Sequence, residues 1–127
     1  MKAEYLFVYG TLRRGCSCEV AHLLERHADF VGEGKYQGRL YRVDYYLGVV
    51  PSESQEDQVP GDIYRLPEPG SVLSQIDQYE ECGPGFPEPT LFIRKKQEIC
   101  QENGERHAAW IYLYNRDTAG LEIVDAL

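Results

Sequence analysis

The sequence predicts an α+β fold built on a curled, barrel-like sheet. Strand-like segments outnumber the two helical ones and do not alternate with helices as a parallel α/β sheet requires. Asn103-Gly104 sits between two apolar segments near the end of the chain, a strong hairpin signal. A chain of 127 residues, 43% of them hydrophobic, can bury one core and has no length for two, so a single domain over residues 1–127 is expected.

Tyr5-Leu6-Phe7-Val8-Tyr9 is an unbroken apolar run closed by Gly10, which predicts a strand buried on both faces. Gly10-Thr11-Leu12-Arg13-Arg14-Gly15 then forms a loop with glycine at each end. Ser17 is placed to cap a helix running to about His27, with Val20, Ala21, Leu23 and Leu24 inward. From Phe30 to Tyr46, strand-like residues are interrupted by Gly32, Gly34 and Gly38, a pattern of bulges or close backbone approach. Leu47–Val50 is a short strand stopped by Pro51, and the polar stretch Ser52–Gln58 is a solvated loop.

Val59–Leu66 reads as another strand. Ser71 is placed to cap a second helix through Glu80 or Glu81, and two Gly and three Pro between Cys82 and Pro89 end it. Leu91–Ile99 and Arg106–Tyr114 are the hairpin arms, the second apolar on both faces and therefore central. The tail, Leu121–Leu127, either adds an edge strand or frays.

The formal net charge of −8 argues against nucleic acid and against an anionic membrane surface as partners. No apolar run approaches the roughly 20 residues of a membrane span, and the N-terminus lacks a signal-peptide pattern. A cytoplasmic protein is expected, its oligomeric state left open. Cys16, Cys18, Cys82 and Cys100 have neither zinc-knuckle spacing nor a nearby second ligand, so reduced thiols and no metal are expected. His22, His27 and His107 form no triad or metal spacing, and the basic runs Arg13-Arg14 and Arg94-Lys95-Lys96 read as solvated faces.

One carboxylate stands out. At about 100° per residue, Val72, Leu73, Ile76 and Tyr79 share an apolar arc, with Asp77, Gln78 and Glu81 outside it. Glu80 falls inside, between Ile76 and Leu73. Burial and the negative end of the helix dipole both raise a carboxyl pKa, which would make Glu80 a proton acceptor near neutral pH. A Glu paired with a cation such as Arg94 or Arg65 fits the same spacing equally well. The loop after the first strand also has two readings: amides converging on an anion, or a tight turn that needs Gly10, which the bare pattern favours.

Four segments in order resemble the gamma-glutamylcyclotransferase-like family. Val8-Tyr9-Gly10-Thr11-Leu12 resembles its Tyr-Gly-Ser/Thr-Leu opening, and Val59-Pro60-Gly61-Asp62-Ile63-Tyr64 its Val-x-Gly-x-aliphatic-Tyr strand. Ile76-Asp77-Gln78-Tyr79-Glu80 resembles its Leu-Asp-x-Tyr/Phe-Glu helix end, and Leu91-Phe92-Ile93-Arg94 its Tyr-x-Arg strand start. The Glu-Glu-Cys at 80–82 is closest to the gamma-glutamylamine cyclotransferase and plant avirulence-induced branch. Position 92 is Phe where the family often has Tyr, and Glu81 stands where many members have Gly.

The resemblance implies a mixed, partly barrel-like β-sheet with a few short helices around one cavity. It implies a metal-independent, cofactor-free lyase that releases 5-oxoproline from a small gamma-glutamyl amide. Glu80 would be the general acid/base, and Tyr9, Gly10, Thr11 and Leu12 the loop holding the gamma-glutamyl group. A non-catalytic binding or interaction module on the same scaffold is the other reading; retention of both the loop and Glu80 favours the enzyme.

Overall fold

The computed structural model describes residues 4–9, 19–43, 46–79, 92–115 and 117–124. Within them lie β1 (Glu4–Val8), α1 (Glu19–His27), β2 (Asp29–Val43), β3 (Tyr46–Pro51), β4 (Gln58–Leu66), α2 (Pro69–Tyr79), β5 (Phe92–Gln101), β6 (Arg106–Tyr114) and β7 (Glu122–Val124). The strand order is β3-β2-β4-β1-β6-β5, and β2 also pairs with β5. The five strands β2, β4, β1, β6 and β5 thus close on themselves, and closure removes the free edges of that part of the sheet. Among the described pairings, β1–β6 is parallel and the others antiparallel, so the sheet is mixed. The α+β, barrel-like fold read from the sequence is the one observed.

The glycine-rich segment accounts for the closure. Strand β2 pairs with β4 along its first half, with a register shift between Phe30 and Gly32. At Gly34 and Lys35 it also meets β5. A Cβ at Gly34 would lie 2.8 Å from the Cys100 carbonyl oxygen, so the seam requires a residue with no side chain. Beyond Gly38, β2 leaves the barrel and carries β3 on one side and β7 on the other. The tail therefore adds an edge strand, and Tyr46 belongs to β3 rather than to the preceding strand.

Strand β1 divides the core into two layers. Leu6 and Val8 face a layer under the helices with Leu24, Tyr64, Leu66, Val72, Leu73, Ile76, Phe92 and Tyr112. Phe7 and Tyr9 face the barrel interior, with residues that include Val49, Ile63, Ile99, Ile111 and Leu113. This is the two-sided burial the apolar run predicted. Strand β6 is likewise central, between β1 and β5.

The start of α2 differs from expectation. Helix α2 begins at Pro69, so Ser71 sits inside its first turn and does not cap it. Proline suits that position because its missing N–H would have no helical partner there. The Ser17 cap and the side chains of Val20 and Ala21 lie outside what the structure describes; Leu24 is fully buried and Leu23 packs beside it. The Asn103-Gly104 turn joins β5 to β6, with Gly104 at φ +94° and its N–H donating to the Gln101 carbonyl. No helix among the described residues is long and apolar enough to cross a membrane.

Candidate active site

Tyr9 directly follows the last residue of β1, Val8. Alternation along β1 turns its ring into the barrel, where it is 7% exposed. The Tyr9 hydroxyl donates to the Tyr112 carbonyl oxygen at 2.6 Å and accepts from the Val49 N–H at 3.3 Å. One phenol thus ties the end of β1 to β6 and to β3. Gly10, Thr11 and Leu12, expected beside it, lie outside the described residues, as does the whole 82–89 loop.

Helix α2 meets the same strand. Val72, Leu73 and Ile76 are buried in the helix-covered layer, the arc that the 3.6-residue period selected. Asp77 was read as lying outside that arc. Its side chain is only 22% exposed, because it leans onto the rim of the layer and accepts three hydrogen bonds. The Tyr112 hydroxyl reaches Oδ1 at 2.5 Å. Arg94 grips both oxygens, Nε to Oδ1 at 2.8 Å and Nη2 to Oδ2 at 3.0 Å. Glu80, the expected acid/base residue, is the residue after the last of α2 and lies outside the described residues, as does Glu81.

Lys95 and Lys96 of the basic run at 94–96 are exposed, as its composition suggested, but Arg94 is not. Arg94 is half-buried, and its guanidinium lies 4.5 Å over the Trp110 ring. Lys96 pairs with Glu4 at 2.6 Å, and the Trp110 indole N–H donates to the same carboxylate at 3.2 Å. The hydrogen bond from Lys96, followed by its charge, holds the Glu4 carboxyl below the usual range against the opposing pull of burial. Arg65 pairs with Asp29 across β2 and β4. Lys96 is thus exposed but paired.

Two features of this region were missed from sequence. Tyr112 was read only as a strand residue, yet its carbonyl accepts from the Tyr9 hydroxyl while its own hydroxyl donates to Asp77 of α2. Asp62 is the one buried charged side chain among the described residues, at 1% exposure, and it stands opposite Val8 on β1 and Glu33 on β2. Its place at the variable position of Val-x-Gly-x-Ile-Tyr was the available signal.

The described geometry thus brings Tyr9, just after β1, and Asp77, in the last turn of α2, onto one strand. A family match accompanies it: the family described as gamma-glutamyl cyclotransferase, AIG2-like, covers residues 6–126. The chain belongs to this family. A Methanocaldococcus jannaschii protein with a provisional gamma-glutamylcyclotransferase name is 31% identical over 87% of this chain and 84% of its own. The gamma-L-glutamyl-butirosin B gamma-glutamyl cyclotransferase of Niallia circulans is 37% identical over 88% of this chain and 67% of its own. Among solved structures, an AIG2-like protein of Mus musculus superposes with a TM-score of 0.72 at 21% identity, covering 100% of this chain and 89% of that one. The AIG2-like fold is therefore shared, and the family and the names of its members support gamma-glutamylcyclotransferase activity in general.

Proposed function

We propose that the protein is a cyclising lyase that releases 5-oxoproline from a small gamma-glutamyl amide, with Glu80 as general acid and base. The substrate's α-amine attacks its own γ-carbonyl carbon. The new C–N bond closes the ring and the original amide C–N bond breaks, while the α-nitrogen sheds two protons in passing from ammonium to lactam N–H. Glu80 takes the first and returns it to the leaving nitrogen, and the second also ends on the released amine, which departs as its ammonium form. No protein nucleophile or hydrolytic water enters this balance, and the reading is of a metal-independent enzyme, so turnover should survive a chelator.

Support for Glu80 comes from the helix that precedes it. Among the side chains of α2 that the structure describes, Pro69, Val72, Leu73 and Ile76 are buried, and 80 is the next position at the same spacing. The observation that carries the proposal is the meeting at Tyr112: the residue that accepts from Tyr9 also donates to Asp77, three residues before Glu80. Tyr9 uses its hydroxyl to hold the scaffold, so in this reading its contribution to the gamma-glutamyl group is through the backbone it shares with Gly10, Thr11 and Leu12. The cradle acts by orientation, bringing nitrogen and carbonyl into near-attack geometry.

The test is a panel of gamma-glutamyl amides scored for 5-oxoproline. Glu80→Gln should keep the wild-type circular dichroism spectrum and lose roughly 100- to 10,000-fold in turnover. Undiminished product from that variant removes Glu80 from the chemistry and makes Glu81→Gln the next measurement. Binding of the amides without product from the wild-type chain would favour the non-catalytic module instead.

A further inference from the structure

We infer that Tyr112, Asp77 and Arg94 form a positioning unit that fixes the end of α2, and hence Glu80, against the loop rooted at Tyr9. The inference rests on the acid/base reading of Glu80 and adds residues that the reading does not require.

The geometry is unusually specific for a helix lying on a sheet. The apolar face of α2 presents Val72, Leu73 and Ile76 to the layer below. Apolar burial is non-directional, so that face resists separation far more than it resists sliding or rolling. Asp77 supplies the missing direction. Its two oxygens are held by three donors from two residues directly opposite each other in the β5–β6 register, Arg94 and Tyr112. The forked Arg–carboxylate contact fixes both angle and distance, and the 2.5 Å hydroxyl contact lies in the short range of charge-assisted bonds. The Arg94 guanidinium carbon itself lies 4.5 Å from the centroid of the Trp110 ring, within cation–π range.

Tyr112 makes the unit more than a helix anchor. It is 2% exposed, and its carbonyl oxygen accepts from the Tyr9 hydroxyl while its own hydroxyl donates to Asp77. Two hydrogen bonds through one residue therefore join the loop root to a position three residues before Glu80. Position 80 follows Tyr79, the last residue of α2, so a roll of α2 that breaks the Asp77 contacts would be passed on to it through the chain. A displacement of about 1 Å is enough to cost on the order of 100-fold in rate.

A purely stabilising role predicts different results. Tyr112→Phe keeps the buried ring and deletes the hydroxyl. The expected outcome is a folded protein whose kcat falls roughly 10- to 100-fold with KM within about twofold, since orientation rather than affinity is lost. Asp77→Asn keeps an acceptor for Tyr112 and should retain part of the rate that Asp77→Ala loses. Hydrogen exchange of the α2 amides at 74–79 should quicken in Tyr112→Phe, a readout independent of turnover. Glu80→Gln, assayed alongside, separates the failures. If Glu80→Gln is inactive while Tyr112→Phe has wild-type kcat and unchanged exchange, the positioning unit is refuted and the acid/base reading stands. A rate loss in Tyr112→Phe that tracks only its loss of folded protein refutes it equally. If Glu80→Gln is fully active, both readings fall.

Discussion

The barrel interior and the helix-covered layer are both apolar and both bounded by β1, but they are held in different ways. The interior is enclosed by strands that close on themselves, so its geometry is set by backbone ladders from β2 round to β5. The outer layer is closed by α1 and α2, which rest on it through side chains. Where the first layer is fixed by many backbone hydrogen bonds, the second gains its direction at Asp77 from Arg94 and Tyr112. The described residues follow the same division: Tyr9 is held inside the barrel, and Asp77, three residues before Glu80, is held at the rim of the helix-covered layer. In the proposed arrangement the barrel side is fixed by strand pairing and the helix side by this polar clamp.

The sharpest test of that difference is the same substitution in each layer. A Cβ at Gly61 in β4 would lie 2.3 Å from the Val8 carbonyl oxygen and 2.4 Å from Phe7 Cζ. Backbone in a closed barrel cannot move aside, so Gly61→Ala should destabilise by about 3 kcal/mol or more. At Gly70 in α2 a Cβ meets nothing within 4 Å, and Gly70→Ala should stabilise by about 0.5 kcal/mol through the unfolded chain. Denaturant melts of the two variants check the opposite signs; equal effects would erase the contrast.

Next in size is Tyr9→Phe. It withdraws the hydroxyl from the Tyr112 carbonyl and the Val49 N–H, both buried contacts, and should cost about 1–2 kcal/mol. Thermal unfolding measures that cost, and a 5-oxoproline assay shows whether the loop root moves with it.

The smallest effect concerns the rim pair of Glu4 and Lys96. Because the folded pKa of Glu4 lies below its ordinary value, its contribution is present above the unfolded pKa and is lost as pH falls through the folded one. Melting temperature should therefore fall on acidification below about pH 4.5, and Lys96→Gln should flatten that part of the profile. Both side chains are substantially exposed, so the contribution is about 0.5 kcal/mol or less. An identical acid limb in wild type and variant would leave the pair with no part in stability.

Much of this contrast was legible in one dimension. The apolar run at 5–9 announced a strand with two buried faces because only a central strand needs hydrophobic residues on both sides. Gly32 and Gly34 announced a bulge and a close backbone approach, since glycine inside a strand otherwise weakens it. The period of α2 separated Val72, Leu73 and Ile76 from their neighbours. The start of α2 was misplaced to Ser71 because a serine cap is a local preference, and Pro69 satisfied the same need two residues earlier. Arg94 was mistaken for solvated surface because a run of three cations looks alike in sequence, while only one of them stands opposite Tyr112 and within reach of Asp77.

Periodicity and turn chemistry, which act between residues near one another in the chain, were enough to set the elements and their buried faces. Family membership was legible in the order of four short motifs. Which strand closes onto which, and that Tyr112 joins Tyr9 to Asp77, are relations across 103 and 35 residues of chain. Contacts at that separation depend on strand register and helix placement together, so they came into view only once the sheet had closed and α2 lay upon it.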